Sequence, residues 1–212
     1  MGGETVATLI DTLGQRGALD EHALIAYEHD KNYDPCSDEA FDSLELTLVT
    51  HKVFGDTVVD LGAAPGGWSQ VVAKRLSGRG RIVALDLLEM APIHGVDFIQ
   101  GDFREDDVLQ QLENLLGGGK VGLVLSDMAP NMSGIPLSDQ ARVMHLAELG
   151  LEFGRNWLKP DGAFLVKVFQ GSDYESFLKA MRATFQTVVV RKPDASRDRS
   201  AEVYLLGKGL RE

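Results

Sequence analysis

The chain has 212 residues, 44% of them hydrophobic and 25% charged, with a formal net charge of −11. That is the composition of a globular domain long enough to build one core, and it excludes a fibrous or disordered chain. No apolar run approaches the roughly 20 residues that cross a bilayer. The first residues lack a basic stretch followed by an apolar one, so no secretory signal is expected. The single cysteine, Cys36, excludes an intrachain disulfide and a cysteine-built metal site. A cytoplasmic, metal-free, membrane-free protein is expected, and a monomer. The acidity is uneven. Residues 1–57 hold 12 acids against 3 Lys/Arg (12 − 3 = 9 net negative), whereas residues 58–212 hold 20 against 18 (20 − 18 = 2). The second part can therefore still present a basic face to a polyanion.

In chain order, Val6, Leu9, Ile10 and Leu13 have helical spacing, and Gly17 would end that helix. A second helix is expected from Asp20 to about Asp30, then a loop from Asn32 to Ser37. A third helix would start at Ser37 with Phe41, Leu44 and Leu48 on one face. From Thr57 the texture changes, which divides the chain into an acidic helical segment, 1–56, and a domain over 57–212. Strands are expected at Val58–Leu61, Ile82–Leu85, Asp97–Ile99, Leu123–Ser126, Ala163–Val168, Thr187–Val190 and Val203–Leu206. Helices are expected at Gly67–Ser77, Asp106–Leu116, Ser138–Leu158 and Tyr174–Thr184. The alternation predicts an α/β fold, a mostly parallel seven-stranded sheet with helices on both faces. No helix separates the last two strands, which predicts an antiparallel ending.

The sharpest motif is Val58-Val59-Asp60-Leu61-Gly62-Ala63-Ala64-Pro65-Gly66-Gly67-Trp68-Ser69-Gln70. A buried strand runs into a glycine-rich turn that opens a helix. Gly62, Gly66 and Gly67 let a ligand approach the backbone closely. The dinucleotide spacing G-x-G-x-x-G and the P-loop lysine are both absent. Trp68 either touches the ligand or anchors the helix start. Asp86, one strand over, is placed to accept from both ribose hydroxyls of an adenosine. Asp102 ends the third strand and can accept from the adenine amino group, with Phe103 against the ring. Strand-end turns commonly use Asp and Gly, but three such elements in order point to a nucleoside-type cofactor.

Asp127 ends the fourth strand, Lys167 lies in the fifth and Glu202 begins the last. A lysine between Val166 and Val168 is costly to bury without a partner or a purpose. Desolvation beside a sulfonium would favour its neutral, basic form, which suits a general base for a ribose hydroxyl. Asp127 and Glu202 would orient it. The other reading is a snorkelling lysine paired with a surface acid. Arg191, Lys192, Arg197 and Arg199 place four cations within nine residues. They suit phosphate contact without sequence readout, although Asp194 and Asp198 could make the stretch a solvated loop. His145 is read as a core or surface residue.

The runs VVDLGAAPGGWSQ, GVDFIQGDFR, SDMAPNMSG, VKVFQG and RKPDASRDRSAEVY resemble the FtsJ/RrmJ (RlmE) family of ribosomal RNA large-subunit methyltransferases, from about Thr57 to Gly209. The resemblance implies a Rossmann-like methyltransferase fold with S-adenosylmethionine as cofactor. It implies 2′-O-methylation of a uridine in large-subunit ribosomal RNA on an assembled particle. Gly66, Trp68, Asp86, Asp102 and Asp127 match the family's cofactor contacts. Asp127, Lys167 and Glu202 match three of its four Lys-Asp-Lys-Glu catalytic positions, with Lys167 as the base. Before Thr57 the pattern departs from the family's basic arm and first catalytic lysine. Counting back places Phe41 there, or Asp42 or Ser43 with a small shift, and the only nearby lysines are Lys31 and Lys52. That departure leaves an alternative: a cofactor-binding protein of the same fold with weak or no catalysis.

Overall fold

The computed structural model describes residues 55–130, 136–191 and 202–211. The three helices expected before residue 50 lie outside the described residues. Seven strands and four helices follow in the order β1 (Thr57–Leu61), α1 (Gly67–Leu76), β2 (Arg81–Asp86), β3 (Val96–Gln100), α2 (Asp106–Leu116), β4 (Val121–Ser126), α3 (Pro136–Trp157), β5 (Leu158–Phe169), α4 (Tyr174–Thr184), β6 (Phe185–Arg191) and β7 (Glu202–Leu210).

The strands form one seven-stranded sheet in the order β3-β2-β1-β4-β5-β7-β6. β1, β2, β3, β4 and β5 pair in parallel, while β7 is antiparallel to both β5 and β6. The near-complete burial of β1 and β4 follows from this placement, because a central parallel strand is covered on both faces. The larger core lies on one face, where Val108 and Leu112 of α2, Leu151 of α3 and Phe177 of α4 meet Val59, Val124 and Phe164. On the other face, Trp68, Val72 and Leu76 of α1 meet Val58, Leu123, Leu165 and Tyr204. Among the described residues no helix is long and apolar enough to cross a membrane.

All seven strands fall where the hydrophobic pattern places them, though several are longer: β7 runs on to Leu210, not Leu206, and β4 starts at Val121. β5 begins at Leu158 directly after α3, not at Ala163. Lys159-Pro160-Asp161-Gly162 reads as a turn, yet the strand runs through it with a register shift: Val121 pairs Leu158 and Leu123 pairs Ala163. Two tertiary contacts hold the segment in the sheet: Leu158 is buried, and Lys159 pairs with Asp56 ahead of β1.

Strand order reverses beside β1, which neighbours both β2 and β4. Ligands of open α/β sheets bind at such a switch point, beyond the carboxyl ends of the strands. The ends of β1, β2, β3 and β4 therefore define one place for a site.

Candidate active site and cofactor cleft

The turn after β1 is fixed by its glycines. Gly62 has φ +82°, and a Cβ there would sit 2.6 Å from the backbone nitrogen of Met128. Only a residue without a side chain lets the β1 turn and the β4 loop pack backbone to backbone. Gly66 caps α1 in the left-handed region at φ 108°. The Gly62 and Ala63 amides both donate to the Leu85 carbonyl, and the Asp127 amide donates to that of Leu61. The ends of β1, β2 and β4 are thereby tied into one rim.

A cleft of about 390 Å³ opens above this rim. That volume lies within the usual range for a small-molecule site, about 300–1,000 Å³. Gly62, Asp86, Asp102, Phe103 and Asp127 all line it, so five expected contact residues from four strand ends converge. Asp86 is braced on both oxygens: Oδ2 accepts from the Ala64 amide at 2.9 Å and Oδ1 from the Leu88 amide at 2.8 Å. Each oxygen keeps acceptor capacity for a ribose hydroxyl. Phe103, 8% exposed, packs edge-on against Phe153 of α3 at 5.8 Å, which fixes its ring beside the cleft. The small turn, paired hydroxyl acceptor, second acid and aromatic wall fit an adenosine-bearing cofactor.

Gly66, Gly67 and Trp68 do not line the cleft. Trp68 is 6% exposed and packs against Tyr204 with ring centroids 6.1 Å apart, which matches the anchor reading of that residue rather than contact through its ring.

Beneath the rim lies a group that the sequence did not single out. Asp60, in the middle of the glycine motif, is fully buried and accepts a 2.7 Å hydrogen bond from the Ser69 hydroxyl. Its Oδ1 is buried with no hydrogen-bond partner among the described residues. Burial pushes its carboxyl up to about 7; the charges of Asp127 and Asp86 push the same way, and the Ser69 hydroxyl opposes them.

The three expected catalytic groups come together. Lys167 follows Ala163 and Leu165 in alternation, on the face packed against α1. Its Nζ is ion-paired with Asp127 Oδ1 and lies 3.6 Å from Glu202 Oε1. Its side chain is 15% exposed, between the carboxylates and the flanking Val166 and Val168. Asp127 belongs to both the cleft and this cluster, so Lys167 adjoins the cleft. The convergence depends on β7 running antiparallel, which brings its first residue, Glu202, opposite Phe169 at the end of β5.

Arg191 ends β6, exposed, opposite Tyr204, which itself pairs with Lys167. The three share one row across the sheet. Lys192, Arg197 and Arg199 lie outside the described residues. The cleft also includes residues the sequence reading missed or assigned elsewhere. Arg142, His145 and Leu146 of α3 line it, as do Leu87, Leu88 and Arg104. The spacing of 142, 145 and 146 on one helical face was the available signal, but only the tertiary fold shows that this face meets the cleft.

A sequence profile described as FtsJ-like methyltransferase matches residues 38–210. The match starts before Thr57, so it takes in part of the segment that the motifs left outside the resemblance. A ribosomal RNA large subunit methyltransferase E from Dechloromonas aromatica (strain RCB) is 76% identical over 157 residues, which is 74% of this chain and 77% of that protein. A protein of the same name from Thiobacillus denitrificans is 56% identical over 192 residues, 90% of this chain and 87% of that one. The fold is similar to a solved ribosomal RNA methyltransferase from Plasmodium falciparum, with TM-score 0.68 and 26% identity, covering 90% of this chain and 97% of that one. The chain belongs to the FtsJ-like methyltransferase family, whose methyl donor is S-adenosylmethionine.

Proposed function

We propose that this protein methylates the 2′-hydroxyl of a ribose, at a uridine of large-subunit ribosomal RNA. The observation that carries the reading is Lys167 Nζ, paired with Asp127 and 3.6 Å from Glu202, beside the cofactor cleft. The names of the two bacterial relatives support ribosomal RNA of the large subunit as the substrate. The expected setting, one chain acting in the cytoplasm on ribosomal particles, belongs to the same proposal, as does the division at residue 56.

S-Adenosylmethionine supplies an electrophilic methyl group on a sulfonium. Asp86 would hold its ribose and Asp102 its adenine amino group, with Phe103 against the ring. The Gly62 turn and Asp127, packed side by side, would line the cleft next to the methyl donor. Lys167 would enter the step as the neutral amine and take the proton of the attacking hydroxyl at Nζ, and Asp127 and Glu202 would position that atom and stabilise the ammonium so formed. Holding the hydroxyl in line with the methyl group converts a bimolecular encounter into an oriented one. Arg191, with Lys192, Arg197 and Arg199, would contact RNA phosphates beside the site.

The test is transfer of labelled methyl from S-adenosylmethionine to undermethylated large ribosomal subunits, followed by nucleoside analysis. The expected product is 2′-O-methyluridine, and Lys167→Ala is expected to abolish its formation while cofactor binding persists. Wild-type transfer by Lys167→Ala, or methyl found on a base, would overturn the reading. A wild-type chain that binds cofactor but transfers nothing would be the cofactor-binding alternative.

A further inference from the structure

Asp102 and Arg104 form a closed unit at one end of the cleft. The Arg104 amide donates to Asp102 Oδ1 at 3.0 Å, a local turn of the Asx type. Its guanidinium then folds back over the same carboxylate. Nε donates to Oδ1 at 2.9 Å and to Oδ2 at 3.2 Å, and Nη2 donates to Oδ2 at 2.5 Å. Both residues line the cleft. The Arg104 side chain is 59% exposed and that of Asp102 only 19%. An ion pair this exposed contributes little to global stability, so its consequence is local.

That consequence follows from the donor count. An ionised carboxylate has about four acceptor sites and no donor. The guanidinium fork holds both oxygens in one plane, because a bidentate pair fixes orientation as well as attraction. Three N–H groups of Arg104 occupy most of these sites, which leaves about one acceptor position on a carboxylate that lines the cleft. Such a group welcomes an exocyclic amino group and repels a keto oxygen at the same position, where two acceptors would face each other. The hydrogen bonds from Arg104, together with its charge, also hold the Asp102 carboxyl below its ordinary value.

We propose that Arg104 is a positioning and specificity-determining residue, whose fork fixes Asp102 as an acceptor-only group and makes the cleft select a 6-aminopurine nucleoside over a 6-oxopurine one. The proposal rests on the reading of Asp102 as the group that faces the cofactor's adenine. Arg104 acts through Asp102, so its signature is a ratio of affinities rather than a loss of affinity.

The experiment is calorimetric titration of the full chain with S-adenosylhomocysteine and with its 6-oxo counterpart, S-inosylhomocysteine. It uses wild type, Asp102→Ala, Arg104→Gln and Arg104→Lys. Wild type is expected to prefer the amino compound by about tenfold or more, the scale of one unmatched charged hydrogen bond. Asp102→Ala should erase the preference. Arg104→Gln should reduce it at least about threefold, and Arg104→Lys should fall between, because an ammonium cannot fork. If Asp102→Ala loses the preference and both Arg104 variants keep the wild-type ratio, the role of Arg104 is overturned and the Asp102 reading stands. If wild type and Asp102→Ala show the same ratio, the Asp102 reading fails and the proposal falls with it. Should Arg104→Gln fail to fold, Arg104→Lys alone supplies the test: a preference below that of wild type is expected, and the wild-type ratio would overturn the role of Arg104.

Discussion

At Gly62 the backbone stands in the left-handed region and a Cβ would lie within 2.8 Å of three backbone atoms of Asp127 and Met128. Nothing flexible is there to yield, so Gly62→Ala must push the β1 turn away from the β4 loop. The expected result is a lowered melting temperature and lost methyl transfer, checked by thermal unfolding beside the transfer assay. Asp86 is a different case, because its two oxygens serve both the rim and the ligand. Asp86→Ala should weaken cofactor affinity about tenfold to a hundredfold, the worth of one or two hydrogen bonds to a charged acceptor. Unchanged affinity by titration would remove Asp86 from the site. Asp60 sets a dependence on pH. Its carboxyl rises from 3.8 to about 7 on folding, so between those values the folded chain holds more proton than the unfolded one. The stability linked to this group is present in full below 3.8 and is lost as pH rises through about 7, by at most about 1.4 kcal/mol per pH unit. Asp60→Asn removes that titration. The melting temperature of the wild type is therefore expected to fall relative to Asp60→Asn between pH 5 and pH 8, and parallel curves would refute the linkage.

Each helix is placed by a stripe and an end. In α2, Val108, Leu112 and Leu116 recur every fourth residue on the buried face, Asp106 and Asp107 sit in the first turn, and Gly117 ends the helix at φ 60°. Leu112 is fully buried, so Leu112→Ala should cost about 2–5 kcal/mol in denaturant unfolding. Methyl transfer per folded molecule should be unchanged, since Leu112 touches neither cleft nor Lys167 cluster. These elements were legible because stripe, cap and dipole agree within a short window. β5 was legible only in its second half. Pro160 and Gly162 mark a local irregularity, and residues 159–162 do stand out of register between the Leu158–Val121 and Ala163–Leu123 pairs; the strand begins before them through the buried Leu158 and the Lys159–Asp56 pair, which joins residues 103 apart in sequence.

Across the molecule, Lys167, Tyr204 and Arg191 lie on adjacent strands, so Arg191 stands about 10 Å from Lys167 at ordinary strand spacing. The chain is acidic in total, which makes a local cation beside the base matter more for a polyanion than net charge does. Arg191→Ala is expected to weaken binding to ribosomal RNA fragments similarly for all sequences and to reduce the salt dependence of the logarithm of affinity by about one unit. Binding measured from low to moderate salt checks this, and an unchanged slope would place Arg191 away from phosphate.

The sequence by itself determined the strand and helix order, the antiparallel ending, the glycine turn, the acids at three strand ends and the Asp127, Lys167 and Glu202 set. Periodicity, turn chemistry and an anomalous lysine in an apolar strand are all local signals. Only the tertiary structure decided that Trp68 is buried against Tyr204, that His145 and Arg142 face the cleft, that Asp60 is a buried acid with a raised pKa, and that Arg104 folds back on Asp102. Burial, field and side-chain aim depend on what the sheet order brings alongside a residue, and no window of neighbouring letters contains that information.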